Sequence, residues 1–290
     1  MRRYAHLLVI VVAVLTSGCA INLSAVRDFA DETKKISVAF DPILTGAVEQ
    51  CQQKFVLRRV YTSDVAIKDF DAADTIKRAE MNCQPIAEEN LTAKGISSAL
   101  ADYATKLSAI AGDGVASSID DDYDALTKKI GEFKDIPKEK LGAVTALFKF
   151  ITSAAVARVQ RQAIEEALSH EEAVSVLADA LVTYTDRVYG AYVSERRSDN
   201  EAFAEALKAD ARATPVATRL QLMELYRLDL QLQQQHKAVG AMRTSVNQMK
   251  ATIKDLRANL DKLSDNDRLK EVQKLAKEVR SLYQQLDKAF

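Results

Sequence analysis

Residues 239–263 read VGAMRTSVNQMKATIKDLRANLDKL and residues 268–290 read RLKEVQKLAKEVRSLYQQLDKAF, with Ser264-Asp265-Asn266-Asp267 between them. In the first stretch Val239, Val246, Ile253 and Leu260 alternate with Met242, Met249, Leu256 and Leu263 at three-and-four spacing. Only a helix places such positions on one face. After the polar turn the spacing resumes through Leu269, Val272, Ala276, Val279, Tyr283, Leu286 and Phe290. Two heptad segments joined by a short turn are expected to fold back as an antiparallel coiled-coil hairpin, each arm about 35 Å long. A parallel dimer through the same seam is the alternative. The matched second arm lying next in the chain favours intramolecular pairing. With Pro215 at its first position, the helix feeding the first arm reaches about 70 Å.

Upstream, the same periodicity recurs. Val26, Phe29, Thr33, Ile36, Phe40, Ile43, Ala47 and Cys51 keep one stripe across Pro42, which predicts a kinked helix from about 24 to 60. A second helix is expected over 71–83. Pro85 then opens another, carrying Ile96, Leu100, Tyr103, Leu107 and Ile110, and Gly112-Asp113-Gly114 stops it. Residues 115–133 align Ile119, Tyr123, Leu126, Ile130 and Phe133. From Pro137 a stripe runs through Leu141, Val144, Leu147, Phe148, Ile151, Ala155 and Val159. Ser169-His170-Glu171-Glu172 has the pattern of a capping box, marking a helix start or an irregularity at 169. Val174, Leu177, Leu181, Tyr184, Val188 and Tyr192 follow it. Glycines number 9 and prolines 4, Trp is absent, and strong helix formers dominate. The expected fold is all-α, an elongated helical bundle ending in the hairpin.

At the other end the chain begins Met1-Arg2-Arg3, continues through the apolar run Leu7 to Leu15, and reaches Thr16-Ser17-Gly18-Cys19-Ala20. The apolar run is about half the length that spans a bilayer, and its basic front matches a signal peptide. Small residues ahead of a cysteine resemble the lipobox of bacterial lipoproteins. Thr16 stands where leucine is commonest, a departure that the looser form of the motif accepts. The resemblance covers residues 1–20 and implies cleavage before Cys19, acylation of its sulfur and a lipidated N-terminus. Two or three acyl chains anchor a protein stably where one does not. Ala20 after the cysteine, in place of an aspartate retention signal, implies the outer membrane, facing the periplasm.

That reading accounts for one of three cysteines. Cys51 and Cys83 remain as an even pair in an oxidising compartment, and a structural disulfide is the expectation, with two buried thiols as the alternative. Neither has the Cys-x-x-Cys spacing of an exchange motif. The chain then divides into a signal peptide (1–18), a short lipidated tether (19–23), a helical bundle (24–213), and a long helix with its hairpin (214–290).

Charge narrows the partners. The 40 basic and 41 acidic residues become 38 and 41 without Arg2 and Arg3, a balance that makes no electrostatic case for nucleic acid. His170 and His236 are the histidines left after the leader, far apart in sequence and too few for a zinc triad or a nucleophile–histidine pair. Asp120-Asp121-Asp122-Tyr123-Asp124 lacks the spacing, central glycine and final glutamate of a calcium loop, and reads as a solvated helix start. Glu165-Glu166 and Glu171-Glu172 carry no mark of convergence on a cleft. Arg196-Arg197 reads as a solvated turn or exposed helical segment, with a partner contact as its functional alternative. Met242 and Met249 fit the seam as core residues. No cofactor or metal site is expected, and no enzyme. The leading expectation is a lipid-anchored periplasmic protein acting as a structural or adaptor component of the envelope through a protein partner. The hairpin tip at Ser264–Asp267 and the bundle flanks are the suspected surfaces. The alternative is an inhibitor or immunity lipoprotein that neutralises a periplasmic toxin or hydrolase.

Overall fold

The computed structural model describes residues 23–61, 70–112, 115–116, 123–156, 160–209 and 215–290. It is an all-α bundle. In order come α1 (Ser24–Tyr61), α2 (Ala72–Gly112), α3 (Tyr123–Glu132), α4 (Leu141–Thr152), α5 (Gln160–Ser169), α6 (Glu171–Thr185), α7 (Ala191–Ala209), α8 (Pro215–Ala258) and α9 (Asn266–Ala289). α1 lies along α2, α8 pairs with α9, α9 also packs on α1, and α6 and α7 pack on α8. One apolar core joins them, with Phe29, Phe40, Tyr103, Leu177, Tyr184, Met242, Ile253, Leu275 and Leu282 all inside it. The leader, Cys19 and most of the tether lie outside the described residues, as do Asp113, Gly114, Ile119, Asp120, Asp121, Asp122 and Val159.

α1 runs through Pro42 as its apolar stripe requires, and every residue of that stripe is buried. α2 corrects the expectation of two helices, because it continues through Pro85 for 41 residues. A proline inside a helix removes one N–H and strands the carbonyl four residues back. Here those carbonyls belong to Val38 and Met81, residues on the exposed side of their helices, where water is at hand to replace the missing donor. Both prolines therefore sit where they cost least.

The middle of the chain is more broken than its periodicity implies. Of the helix expected over 115–133, Tyr123–Glu132 is present as α3, and residues 117–122 lie outside the described residues. Ahead of α3, Val115–Ala116 pairs antiparallel with Ala155–Val156. The stripe from Pro137 passes through a 3-10 turn at Lys138–Lys140 and ends with α4 at Thr152, so Ala155 belongs to a strand. Lys106 of α2, only 2% exposed, accounts for that ending. Its ammonium donates to the carbonyl oxygens of Phe150, Ile151 (3.2 Å) and Ser153, closing the C-terminal turn of α4 with a cation. The break at 169 is present, but the capping box is not formed. Ser169 Oγ bonds back to the Glu166 carbonyl at 2.6 Å, and no side chain caps α6. From α6 the chain passes through a π turn, Asp186–Gly190, straight into α7.

In the hairpin the first arm follows its heptads: Val239, Met242, Val246, Met249, Ile253, Leu256 and Leu263 are buried. The second arm follows a neighbouring stripe. Val272, Leu275, Val279, Leu282, Leu286 and Ala289 form the seam. Tyr283 and Phe290 stand exposed and Ala276 only half-buried, in place of the expected core. Two stripes compete on α9, and leucine at 275 and 282 buries more apolar area than alanine at 276 with a tyrosine whose hydroxyl needs a partner. Tyr283 instead donates to the Lys35 carbonyl of α1 at 3.1 Å.

Candidate functional site

Beyond Gly46, α1 changes character from apolar to glutamine-rich, with Gln50, Gln52 and Gln53 followed by Val56, Leu57 and Val60. The start of α2 is brought alongside by the Cys51–Cys83 disulfide, whose Cα atoms are 6.0 Å apart, so the expected staple is present. α7, α8 and the end of α9 complete a groove of about 650 Å³, open along one side. Gly46 lets the last turn of α9 close one end: a Cβ there would stand 2.9 Å from the Tyr189 ring and 3.2 Å from the Phe290 ring.

The floor of the groove is polar. Gln50 Nε2 donates to Gln235 Oε1 at 3.3 Å across α1 and α8. Arg196 of α7 points its Nη1 at the Oε1 atoms of Gln50 and Gln53, the latter at 2.7 Å. Arg196 is only 5% exposed, which corrects its reading as a solvated residue. The stripe Val193, Arg196, Asn200 and Phe203 turns α7 inward, so arginine and asparagine occupy core positions. Arg197, next to it, reaches the half-exposed surface and pairs with Asp229 at 3.0 Å.

The electrostatics of Arg196 are unusual. Among the described residues it has no carboxylate within ion-pair distance, since the acids nearest it in α7 are committed elsewhere. Glu195 pairs with Lys54, and Asp199 accepts from Arg58 at 2.9 and 3.2 Å. Its Nε is buried with no hydrogen-bond partner, and so are both amide atoms of Asn200 one turn on and the Tyr189 hydroxyl. Burial pulls the Arg196 pKa below its ordinary value, with Tyr189 and Asp199 opposing that shift. A cation held by two neutral amides, with donors to spare, is poised for an anion.

Other candidate residues are spread through the bundle. His170 sits in the turn between α5 and α6 with its ring 4.9 Å from Phe150, and burial lowers its pKa. His236 is exposed on α8. Glu165 pairs with Arg161 at 3.2 Å, Glu171 with Arg257 at 2.9 Å and Glu172 with Lys140 at 2.5 Å, all on the outside. Asp124 is exposed in the first turn of α3. Among the described residues no three His, Cys, Asp or Glu side chains are placed to hold a metal, and no helix is long and apolar enough to cross a membrane. Met242 and Met249 are core. The hairpin tip, Ser264 to Asp267, is exposed.

A second surface lies on the first half of α8. Val216, Leu220, Met223 and Leu230 follow helical spacing and are 42–69% exposed, while Leu225 and Leu232 bury the opposite face. The stripe is amphipathic with its second apolar face in water. No protein-family model matches the chain, and no characterised protein or solved structure matches it either.

Proposed function

We propose that this is a lipid-anchored protein of the bacterial envelope, held at Cys19, whose helical bundle is a non-enzymatic structural or adaptor component and docks a partner protein. Residues 1–20 support the anchor. α1 begins at Ser24, five positions after Cys19, so an acylated Cys19 would keep the body close to the lipid surface. The observation that carries the partner is the apolar stripe of α8. Four large side chains left in water forgo roughly 1.5–3 kcal/mol each on full burial. An amphipathic helix of another protein, laid along α8 with anchors at matching spacing, recovers that energy.

The test places a photo-crosslinking residue at Leu220 of the tagged protein in living cells, with Lys277 on α9 as the control position, and identifies adducts by mass spectrometry. The expected result is one envelope protein captured in stoichiometric amount from Leu220 and not from Lys277. Adducts with lipid alone, or with further copies of the chain, would end the adaptor reading. A partner that enters from competing cells would replace it with an inhibitor. Substituting Cys19→Ser is expected to move the protein from the membrane to the soluble fraction.

A further inference from the structure

The groove between α1, α2, α7 and α8 is not used by the adaptor reading, which rests on the outer stripe of α8. We propose that it is a binding site for a single-chain amphiphile with a carboxylate head, of the fatty-acid class, with the head on Arg196 and the chain running toward the mouth. Three observations carry this. The first is charge: Arg196, 5% exposed, has no counter-ion among the described residues, and its Nε carries no hydrogen bond. One buried cation flanked by the neutral amides of Gln50 and Gln53 matches one negative charge, not a dianion. An unpaired buried ion is costly, and a bound carboxylate relieves that cost.

The second observation is polarity along the groove. Arg196 and Gln235 line the buried floor, whereas Val60 and Ile76 at the mouth are 44% and 54% exposed. Val56, Leu57 and Leu228 lie on the walls beside Gln52 and Gln231, and the lining carboxylate, Glu49, is exposed to water. A head-in, tail-out ligand places each part against its like. The third is size: about 650 Å³ falls within the range of small-molecule sites and is too small for a partner domain.

Binding is read with laurate labelled at its carboxyl carbon, added to the purified full-length protein in a non-ionic detergent. Carboxyl NMR separates laurate paired with an arginine from laurate dissolved in micelles, because the guanidinium keeps the bound carboxyl ionised to lower pH. The expected result is a one-to-one bound signal that dodecanol does not displace. Arg196→Met should weaken it by about 10- to 100-fold, the worth of a charge-assisted hydrogen bond. Val60→Trp, filling the mouth, should weaken it comparably. Should Arg196→Met fail to fold by circular dichroism, Val60→Trp at its exposed position decides alone. The proposal is overturned by absence of a bound signal in the unaltered protein, by a signal that survives Val60→Trp, or by one that survives a folded Arg196→Met. Displacement of laurate by an equal amount of a peptide with a free C-terminal carboxylate would overturn it too, in favour of a peptide site.

Discussion

Cys51 and Cys83 enclose a loop of 32 residues and tie the second half of α1 to the first turns of α2. Replacing both by alanine releases that loop in the unfolded chain. On the chain-entropy relation, a loop of this length contributes about 3.7 kcal/mol at room temperature. For a chain of this size such a loss corresponds to a fall in Tm of roughly 7–15 °C. The two cysteines are 5% and 1% exposed, so the alanine variant also loses some contact that the reduced protein retains. The assay is urea unfolding of the oxidised, the reduced and the doubly substituted protein, followed by far-UV circular dichroism. Reduction should lower stability by about 3–4 kcal/mol, and the variant should fall slightly further. A loss below about 1 kcal/mol on reduction would refute the reasoning. It would mean that α1 and α2 hold one another in the unfolded ensemble as well, so that the bond constrains nothing new. Ile76 and Ala79 form part of the groove wall within three turns of Cys83, so laurate binding should weaken in parallel with the loss of the bond.

Three further outcomes follow from particular side chains. Leu275→Ala and Leu282→Ala should each cost about 2–5 kcal/mol in urea unfolding. Tyr283→Ala should cost about 1 kcal/mol, the worth of its single bond to Lys35, and the opposite ranking would restore the seam through Ala276 and Tyr283. Lys106→Met leaves the carbonyls of Phe150, Ile151 and Ser153 without their cation and should destabilise by roughly 2–4 kcal/mol. A neutral or stabilising result would show that burying the ammonium had cost as much as its bonds return. Burial holds the His170 pKa below that of the unfolded chain, so between the two values the unfolded state binds more protons. Stability should therefore fall as pH drops from about 7 through the unfolded value near 6.5, then level off below the folded value. The difference curve between the protein and its His170→Gln variant isolates this effect, and a difference that does not change with pH would exclude it.

Long uninterrupted stripes were the legible part of the sequence. α1, the face of α2 after Ile96 and the first arm of the hairpin follow apolar periodicity because their neighbours are helices along their whole length. Pro85 misled because proline chemistry argues for a break, while the exposed position of Met81, whose carbonyl loses its donor, lessens the reason for one. The second arm offered two stripes one residue apart, and side-chain size decided between them. Arg196 was illegible as a core residue, since its charge assigned it to solvent, and nothing in the charge of Lys106 marks it as buried. A signal for both does exist: Lys106 lies between Tyr103 and Ile110, and Arg196 between Val193 and Asn200, at helical spacing on buried faces. Extending the hairpin heptads backward from Met242 gives Gln235 and then Leu228, so the polar floor of the groove is a glutamine at a seam position. The groove itself needs five helices to meet, and no local pattern encodes that.

The pairing of α9 with α1 sets an order of events in the life of the chain. Tyr283 and Lys35 are 248 residues apart, so one flank of the first helix is covered by a segment synthesised long after it. Contacts at that separation are slow to form, because the intervening chain must be brought to hand first. Until then α1 and α2 can pair, but the flank awaiting α9 stays open to aggregation and to proteases. A chain that stops before α9 therefore keeps the packing of α6 and α7 on α8, but leaves the seam of α8 and one flank of α1 without their cover.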